Sequence, residues 1–128
     1  MRRTKVSGTA EAEYAADTAL AAQFDDLLAA ARIAEQAFRD AQARAVPVSE
    51  LYPLASRLDA TLTDVVHAAY AAERAEIGPR GYEDRIYHRK AKARPAVHAL
   101  TAEAERLLTL RENHRLNRIP EVPRVPAV

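Results

Sequence analysis

The chain has 128 residues and a formal net charge of +1, and 48% of its residues are hydrophobic. This length suits one domain, and the hydrophobic fraction excludes a chain that is disordered by composition. The absence of cysteine excludes disulfides, thiolate zinc sites and cysteine nucleophiles. Much of the hydrophobic fraction is alanine, which favours helix but buries little surface. We therefore expect a core of few large side chains that depends on a partner for stability.

The sequence contains no segment that predicts a membrane span. No run approaches the roughly 20 apolar residues that cross a bilayer, and the opening residues MRRTKVSGTAEAEY have no apolar stretch after their basic start. We therefore expect no membrane partner. The predicted location is the cytoplasm, or whatever particle is assembled there.

Charge is segregated along the chain. Arg2, Arg3 and Lys5 make the start basic, residues 9–79 lean acidic, and residues 80–94 carry six basic residues against two acidic ones. Such asymmetry indicates oriented association with a charged partner or with other copies of the chain. In the alternative interpretation, the charged residues lie on solvent-exposed helix faces whose charges differ in sign, and they bind no partner.

The first predicted element is a long helix. Residues 9–44 contain neither proline nor glycine, and their apolar positions follow the spacing of three and four that is typical of an amphipathic helix: Leu20, Phe24, Leu27, Ala31, Ala34, Phe38, Ala41 and Ala45. An unbroken helix from Ala12 to Ala45 would be about 50 Å long. A compact domain of this size is only about 35 Å across. We expect another part of the chain or a partner to cover the overhang.

Proline and glycine define the second predicted helix. Pro47 ends the first helix, Ser49 is the predicted N-cap, and Pro53 is placed inside the first turn, where its missing N–H is tolerated. The apolar side follows at helical spacing: Leu51, Ala55, Leu58, Leu62, Val65, Ala69 and Ala72. The helix is predicted to end near Ile77, with Gly78 as a left-handed C-cap residue before Pro79.

Two further helices and an arm complete the prediction. A short basic helix is expected at residues 82–94, with the apolar contacts Tyr82, Ile86 and Tyr87. Pro95 begins a last helix that reaches Asn117. The predicted fold is an all-α bundle of three to four helices with a long first helix and an extended Pro-rich C-terminal arm. Its parts are a basic N-terminal segment (1–10), a helical domain (11–118) and the arm (119–128).

No catalytic or metal-binding motif is evident. No two of His67, His88, His98 and His114 have the i, i+3 or i+4 spacing that places two ligands on one helix face. Three glycines are too dispersed for a phosphate loop, and no serine has a nucleophile-elbow context. We predict that the chain is not an enzyme and has no catalytic residues, no metal and no cofactor.

The segment LASRLDATLTDVV (54–66) resembles the helix-turn-helix of bacterial transcription regulators. That resemblance implies that Thr61, Thr63 and Asp64 face bases and that Arg57 contacts a phosphate. The segment has Asp59 where the turn usually has glycine, and Leu62 would be exposed. A single continuous helix explains both residues with less strain.

The basic segment RGYEDRIYHRKAKARP offers a second route to nucleic acid. Its candidate electrostatic contacts are Arg85, Arg89, Lys90, Lys92 and Arg94. In the alternative interpretation, Tyr82, Ile86 and Tyr87 form a core edge and the arginines pair with nearby carboxylates. Nucleic acid is accordingly a secondary partner.

The last residues, IPEVPRVPAV, repeat with a period of three, which is typical of a polyproline II segment. One edge would be apolar and another all proline, so we predict that the arm binds a partner through Ile119, Pro120, Val122, Pro123, Val125, Pro126 and Val128. Polyproline II segments dock in grooves, because they are extended before they bind. The groove is expected in a neighbouring chain, with a groove in the same chain as the alternative.

Four helices followed by an extended arm resemble the helical head–tail adaptor (connector) proteins of tailed phages. The segments DDLLAAARIAEQAF (25–38) and PAVHAL (95–100) are similar to that family's first long helix and to a segment near its end. The resemblance implies a ring-forming virion component beneath the portal that sends C-terminal segments into neighbours. No functional residue transfers from it.

The sequence thus predicts a non-enzymatic structural subunit of a larger protein assembly, as a homo-oligomer or ring. One alternative is a helix-turn-helix DNA-binding regulator. A second is a small helical oligomer that binds one partner.

Overall fold

The structure is a computed structural model that describes residues 5–117. These residues form five α-helices and a 3₁₀ turn, without any strand: α1 (Gly8–Ala21), α2 (Phe24–Ala43), α3 (Val48–Ile77), the 3₁₀ turn (Pro79–Tyr82), α4 (Arg85–Ala91) and α5 (Pro95–Asn117). The all-α prediction is therefore confirmed. The arm at residues 119–128 and the first four residues, including Arg2 and Arg3, lie outside the described residues.

The centre of the fold is α3, against which α1, α2 and α5 all pack. Its C-terminal half contacts α1 through Arg74 and Asp17. The helix α5 runs antiparallel to it, since Thr101 contacts Glu73 near one end and Arg115 contacts Asp59 near the other. In contrast, α2 and α5 contact α3 far more than they contact each other.

The main core joins α2, α3 and α5. It consists of thirteen buried residues, six of them alanine: Ala31, Ala34, Phe38, Ala41, Leu51, Ala55, Leu58, Leu62, Val65, Val66, Ala69, Ala104 and Leu107. A smaller cluster of Ile77, Ala91 and Val97 joins α3, α4 and α5. The alanines bring the helices close together, and only a few large side chains supply most of the buried apolar area.

The predicted first helix is divided, which corrects the expectation of an unbroken helix from Ala12 to Ala45. The Ala22 N–H still bonds to the Thr18 carbonyl, but the Gln23 N–H bonds to the Leu20 carbonyl, and α2 begins at Phe24. Neither proline nor glycine marks this turn. The physical reason is tertiary packing. The helix α1 packs against α3 and the 3₁₀ turn, whereas α2 packs into the main core.

The start of α3 also differs from the prediction. Its first residue is Val48 and its N-cap is Pro47, so Ser49 lies inside the first turn and is not the cap. Pro53 lies in the second turn, where it leaves the Ser49 carbonyl without its helical N–H partner while the helix continues. At the other end the prediction is confirmed: the helix ends at Ile77 and Gly78 has a positive φ of 100°.

The predicted helix at residues 82–94 is shorter than expected. A 3₁₀ turn precedes it, and α4 begins after Asp84, whose side chain accepts a hydrogen bond from the Tyr87 N–H at 2.9 Å. Ile86 is 65% exposed, so the expectation that it contacts the core is wrong. On this seven-residue helix Ala91 is the buried side chain. The last helix begins at Pro95 and reaches Asn117, as predicted.

The helix-turn-helix interpretation of residues 54–66 is wrong. The segment lies inside α3, which has no turn at Asp59. Leu62 is only 7% exposed and belongs to the core, whereas a recognition helix would expose it. The Thr61 hydroxyl lies 3.0 Å from the carbonyl oxygens of Arg57 and Leu58 and satisfies its hydrogen bond within its own helix.

Candidate partner-binding groove

A groove separates α2 from α5 and has α3 as its floor. We call it the α2/α5 groove and define it by the side chains that line its cavities. Its lower part is lined by Leu28, Ala31, Arg32, Glu35, Phe38, Arg39, Gln42, Leu58, Leu62, Arg106, Leu107, Leu110, Asn113, His114 and Asn117. Its upper part is lined by Ala21, Ala22, Phe24, Asp25, Ala69, Ala72, Leu100 and Glu103.

The lower part is continuous. It consists of a cavity of about 340 Å³ and one of about 130 Å³, which share Glu35, Leu62 and Leu110 in their walls. Leu110, which both cavities share, is 40% exposed. The lower groove is therefore open to solvent and mixed in character, with leucine, alanine and phenylalanine side chains beside charged and amide side chains.

The upper part is a cavity of about 360 Å³ beside the turn between α1 and α2. Between the two parts, the Arg106 Nη2 lies 2.8 Å from a Glu103 carboxylate oxygen. The hydrogen bond from Arg106 lowers the pKa of Glu103, and the charge of Arg32 on α2 adds to this effect from across the groove. The rim therefore carries charges of both signs above an apolar floor.

The length of the groove follows from α5. From Leu100 to Asn117 the groove follows 17 residue-to-residue steps of α5, which is about 26 Å at the helical rise. This is long enough for an extended peptide or several helical turns of a partner.

Two polar side chains at the lower end of the groove have partners within the chain. The His114 Nε2 lies 2.8 Å from the Ala55 carbonyl oxygen, and its ring meets the Phe38 ring edge-on with centroids 5.3 Å apart. Arg39 pairs with Glu35 on the same helix at 3.4 Å. These contacts fix the side chains of His114 and Arg39 at the lower end of the groove.

A second polar cluster lies at the opposite side of the fold and attaches α1. The Asp17 carboxylate accepts hydrogen bonds from the Arg74 guanidinium at 2.7 and 3.1 Å and from the Tyr82 hydroxyl at 2.5 Å. The bonds from Arg74 lower the pKa of Asp17, whereas burial, with the neighbouring carboxylate, raises the pKa of Tyr82. The Ser7 hydroxyl, which caps α1, also bonds to Glu83 at 2.5 Å. These hydrogen bonds attach α1 to α3 and to the segment that contains Tyr82 and Glu83.

Glu73 is a buried carboxylate between α3 and α5. It accepts a hydrogen bond from the Thr101 hydroxyl, and the Lys92 Nζ lies 4.0 Å from its Oε2. Two partners from two different segments compensate the cost of burying this charge. The cluster therefore fixes the packing of α5 on α3.

No group of three or more histidine and acidic side chains within residues 5–117 is arranged to hold a metal ion. Likewise, none of the helices in this part of the chain combines the length and apolar character required to cross a bilayer.

The candidate electrostatic residues fall into two groups. Arg85, Arg89 and Lys90 are exposed on α4 and make no ion pair with any residue that the structure describes. Lys92 instead lies beside Glu73, and the Arg94 Nη2 donates to the carbonyl oxygens of Glu76 and Ile77 at 3.2 and 3.4 Å. The last two residues are therefore structural, and only three remain available to a charged partner.

All seven partner-binding residues predicted on the arm lie outside the described part of the chain. The groove itself was missed by sequence reasoning. Leu28, Leu107 and Leu110 line it, and each is an apolar residue on a predicted helix. Periodicity assigns such residues to a helix side, but not to a gap between two helices.

Comparisons of the chain with protein-family models, curated proteins and solved structures find no match.

Proposed function

We propose that the protein is a non-enzymatic structural subunit of a larger protein assembly and that it docks on its neighbours through residues 119–128. The observation that supports this proposal is the α2/α5 groove, an open channel that exposes Leu110 between charged and amide side chains, on a domain whose core is rich in alanine. Covering it with a partner removes apolar surface from water, at about 25 cal/mol per Å². A structural partner-binding role follows from that need.

The most specific form of the proposal is a head–tail connector of a tailed-phage virion, built as a homo-oligomer or ring. It is supported by the resemblance of residues 25–38 and 95–100 to that family. The first of these segments lies in α2 and the second begins α5, so both belong to the walls of the groove. A smaller oligomer that binds one cellular partner would use the same surface.

The test is the mass of the protein in solution, measured by light scattering over a range of concentration and salt. The full-length chain is expected to form a defined oligomer, and removal of residues 118–128 is expected to reduce it to a monomer with unchanged helical circular dichroism. A full-length monomer that is insensitive to truncation would contradict the proposal. Electron microscopy of the oligomer would separate a ring from a smaller assembly.

Nucleic acid is a second candidate partner, through the exposed basic side of α4. Arg85 and Arg89 are one helical turn apart and Lys90 is adjacent, which suits contact with phosphates. The test is binding to duplex DNA at increasing salt. Phosphate contacts release counterions, so affinity should fall steeply. The absence of binding at low salt would exclude this role.

A further inference from the structure

We propose that the α2/α5 groove of one copy of the chain is the receptor for residues 119–128 of a second copy. This inference rests on the proposed function and adds to it the site at which the arm docks. Its starting observations are the groove's length, the apolar side chains that alternate with charged ones along it, and the position of Asn117 at its lower end.

The lengths agree. Ile119, Val122, Val125 and Val128 recur every three residues, so in a polyproline II segment their stripe spans about 28 Å at a rise of 3.1 Å per residue. The groove spans about 26 Å between Leu100 and Asn117. The apolar stripe of the arm is therefore long enough to reach from the lower part of the groove to the upper part.

The chemistry also agrees. The groove's floor and walls are helices whose backbone groups are bonded internally, so an occupant finds side chains rather than free backbone partners. A strand would leave its N–H groups without acceptors there. The arm lacks an N–H at Pro120, Pro123 and Pro126, and a polyproline II segment directs its remaining backbone groups to water. The edge that carries Glu121 and Arg124 then faces a rim with charges of both signs.

The end of α5 favours a second copy over the chain's own arm. Asn117, the last described residue of α5, lines the lower end of the groove, and α5 runs along the groove toward that end. To enter its own groove the chain would have to reverse direction within Arg118 and Ile119. Ile119 precedes a proline and is restricted to extended conformations, which opposes such a reversal. An arm that continues in the direction of α5 leaves its own domain instead.

Such an exchange joins different surfaces of the two copies, the arm of one and the groove of the next. Contacts of this heterologous type generate a closed ring or an open filament according to the rotation between copies. One arm and one groove per chain are sufficient for either.

The chain's lack of cysteine permits a direct test by disulfide trapping. Full-length Leu110→Cys is mixed with a size-tagged full-length Val125→Cys, and in a parallel mixture with Val122→Cys, under mild oxidation. A disulfide needs Cα atoms about 5.5–6 Å apart. A disulfide-linked heterodimer in either mixture is the expected result. The matched control is Ile33→Cys, which is 72% exposed on α2 outside the groove and should give none.

A chain that carries both Leu110→Cys and Val125→Cys distinguishes the two arrangements. At high dilution a crosslink within this chain, with no heterodimer in the mixed experiment, would show that the arm occupies its own groove and would overturn the proposal. The absence of both crosslinks in both registers would also overturn it.

A blocking variant separates this inference from the proposed function. Leu110→Lys places a charge in the groove at a partly exposed position that the fold tolerates, and it should abolish the oligomer, whereas Ile33→Lys should not. If truncation after Asn117 dissociates the oligomer but Leu110→Lys does not, the arm remains an assembly element and the groove is not its receptor. If truncation has no effect on mass, the proposed function itself fails.

Discussion

The Arg74 guanidinium holds the Asp17 carboxylate with two hydrogen bonds, from Nε to Oδ2 at 2.7 Å and from Nη2 to Oδ1 at 3.1 Å. Bidentate arginine–carboxylate pairs are stronger than ion pairs with a single hydrogen bond, because two parallel bonds fix their geometry. The pair connects α1 to α3, and Ala10 is the one buried residue of α1. The attachment of α1 therefore combines this ion pair with the edge-on contact between the Tyr14 and Tyr82 rings, whose centroids lie 6.5 Å apart.

Substitution Asp17→Asn should lower the free energy of unfolding by about 1–2 kcal/mol at neutral pH. Asparagine keeps one acceptor but removes the charge that Arg74 and the Tyr82 hydroxyl meet. Urea denaturation measures the loss. Asp64→Asn, at an exposed position of α3, is the control. Its free energy of unfolding should stay within about 0.5 kcal/mol of that of the parent protein. Equal effects of the two variants would contradict the assigned role of Asp17.

The same pair predicts the pH dependence. Arg74 lowers the pKa of Asp17 in the folded state, so the carboxylate stabilises the fold fully above its unfolded pKa of about 3.9. This contribution is lost as the pH falls through the folded pKa. The difference in unfolding free energy between parent and Asp17→Asn should be constant down to about pH 5 and shrink below pH 4. A difference in unfolding free energy that shrinks as the pH rises would contradict the lowered pKa of Asp17.

Substitution Thr101→Val should lower the free energy of unfolding by about 1–3 kcal/mol, because it leaves a buried Glu73 carboxylate oxygen without its hydroxyl donor. Thr109→Val is a matched control on the same helix. Both hydroxyls lie within hydrogen-bond distance of the carbonyl four residues earlier, at 3.0 and 2.9 Å, but Thr109 is exposed. The difference between their thermal denaturation midpoints measures the contact with Glu73. Identical midpoints would show that Glu73 does not need Thr101.

Gly81→Ala should destabilise the protein by about 1–3 kcal/mol, because a Cβ at this position would collide with the side chain of buried Ile77. Gly8→Ala is the control, since a Cβ there meets nothing within 4 Å and alanine favours helix. Chemical denaturation of both variants tests the prediction. A neutral Gly81→Ala would mean that the 3₁₀ turn shifts freely away from α3.

The triple variant Arg85→Gln, Arg89→Gln, Lys90→Gln should leave the solution mass of the full-length chain unchanged, because these exposed side chains lie outside the α2/α5 groove. Light scattering checks this result. A fall in mass would place α4 in the assembly contact. Arg94→Gln provides a contrast, since it removes hydrogen bonds to two carbonyl oxygens at the end of α3 and should lower stability.

Helix ends that depend on backbone chemistry were predictable from the sequence. Pro47, Gly78 and Pro95 each mark an end or a start that the structure confirms, because these residues restrict φ or remove a donor locally. The prediction that Ser49 is the N-cap was wrong, because Pro47, two residues earlier, is the N-cap and the helix begins at Val48.

Features that depend on distant contacts were not predictable. The turn at Ala22 and Gln23 lies in a sequence that favours helix throughout, and only the packing of α1 on α3 and the 3₁₀ turn separates it from α2. Ile86 fitted a helical core pattern, yet no element covers it within residues 5–117. The groove depends on the spacing between two helices that are far apart in the chain, which no local pattern encodes.

The small number of fully buried side chains on α1 has a consequence for the order in which the molecule opens. With Ala10 as its one buried side chain, α1 can detach at the turn after Ala21 without disturbing the core that α2, α3 and α5 share. Amide protons of α1 should therefore exchange with deuterated water well before those at the centre of α3, through a local opening that costs less than global unfolding. The chain would behave as two cooperative units, one of which is a single helix.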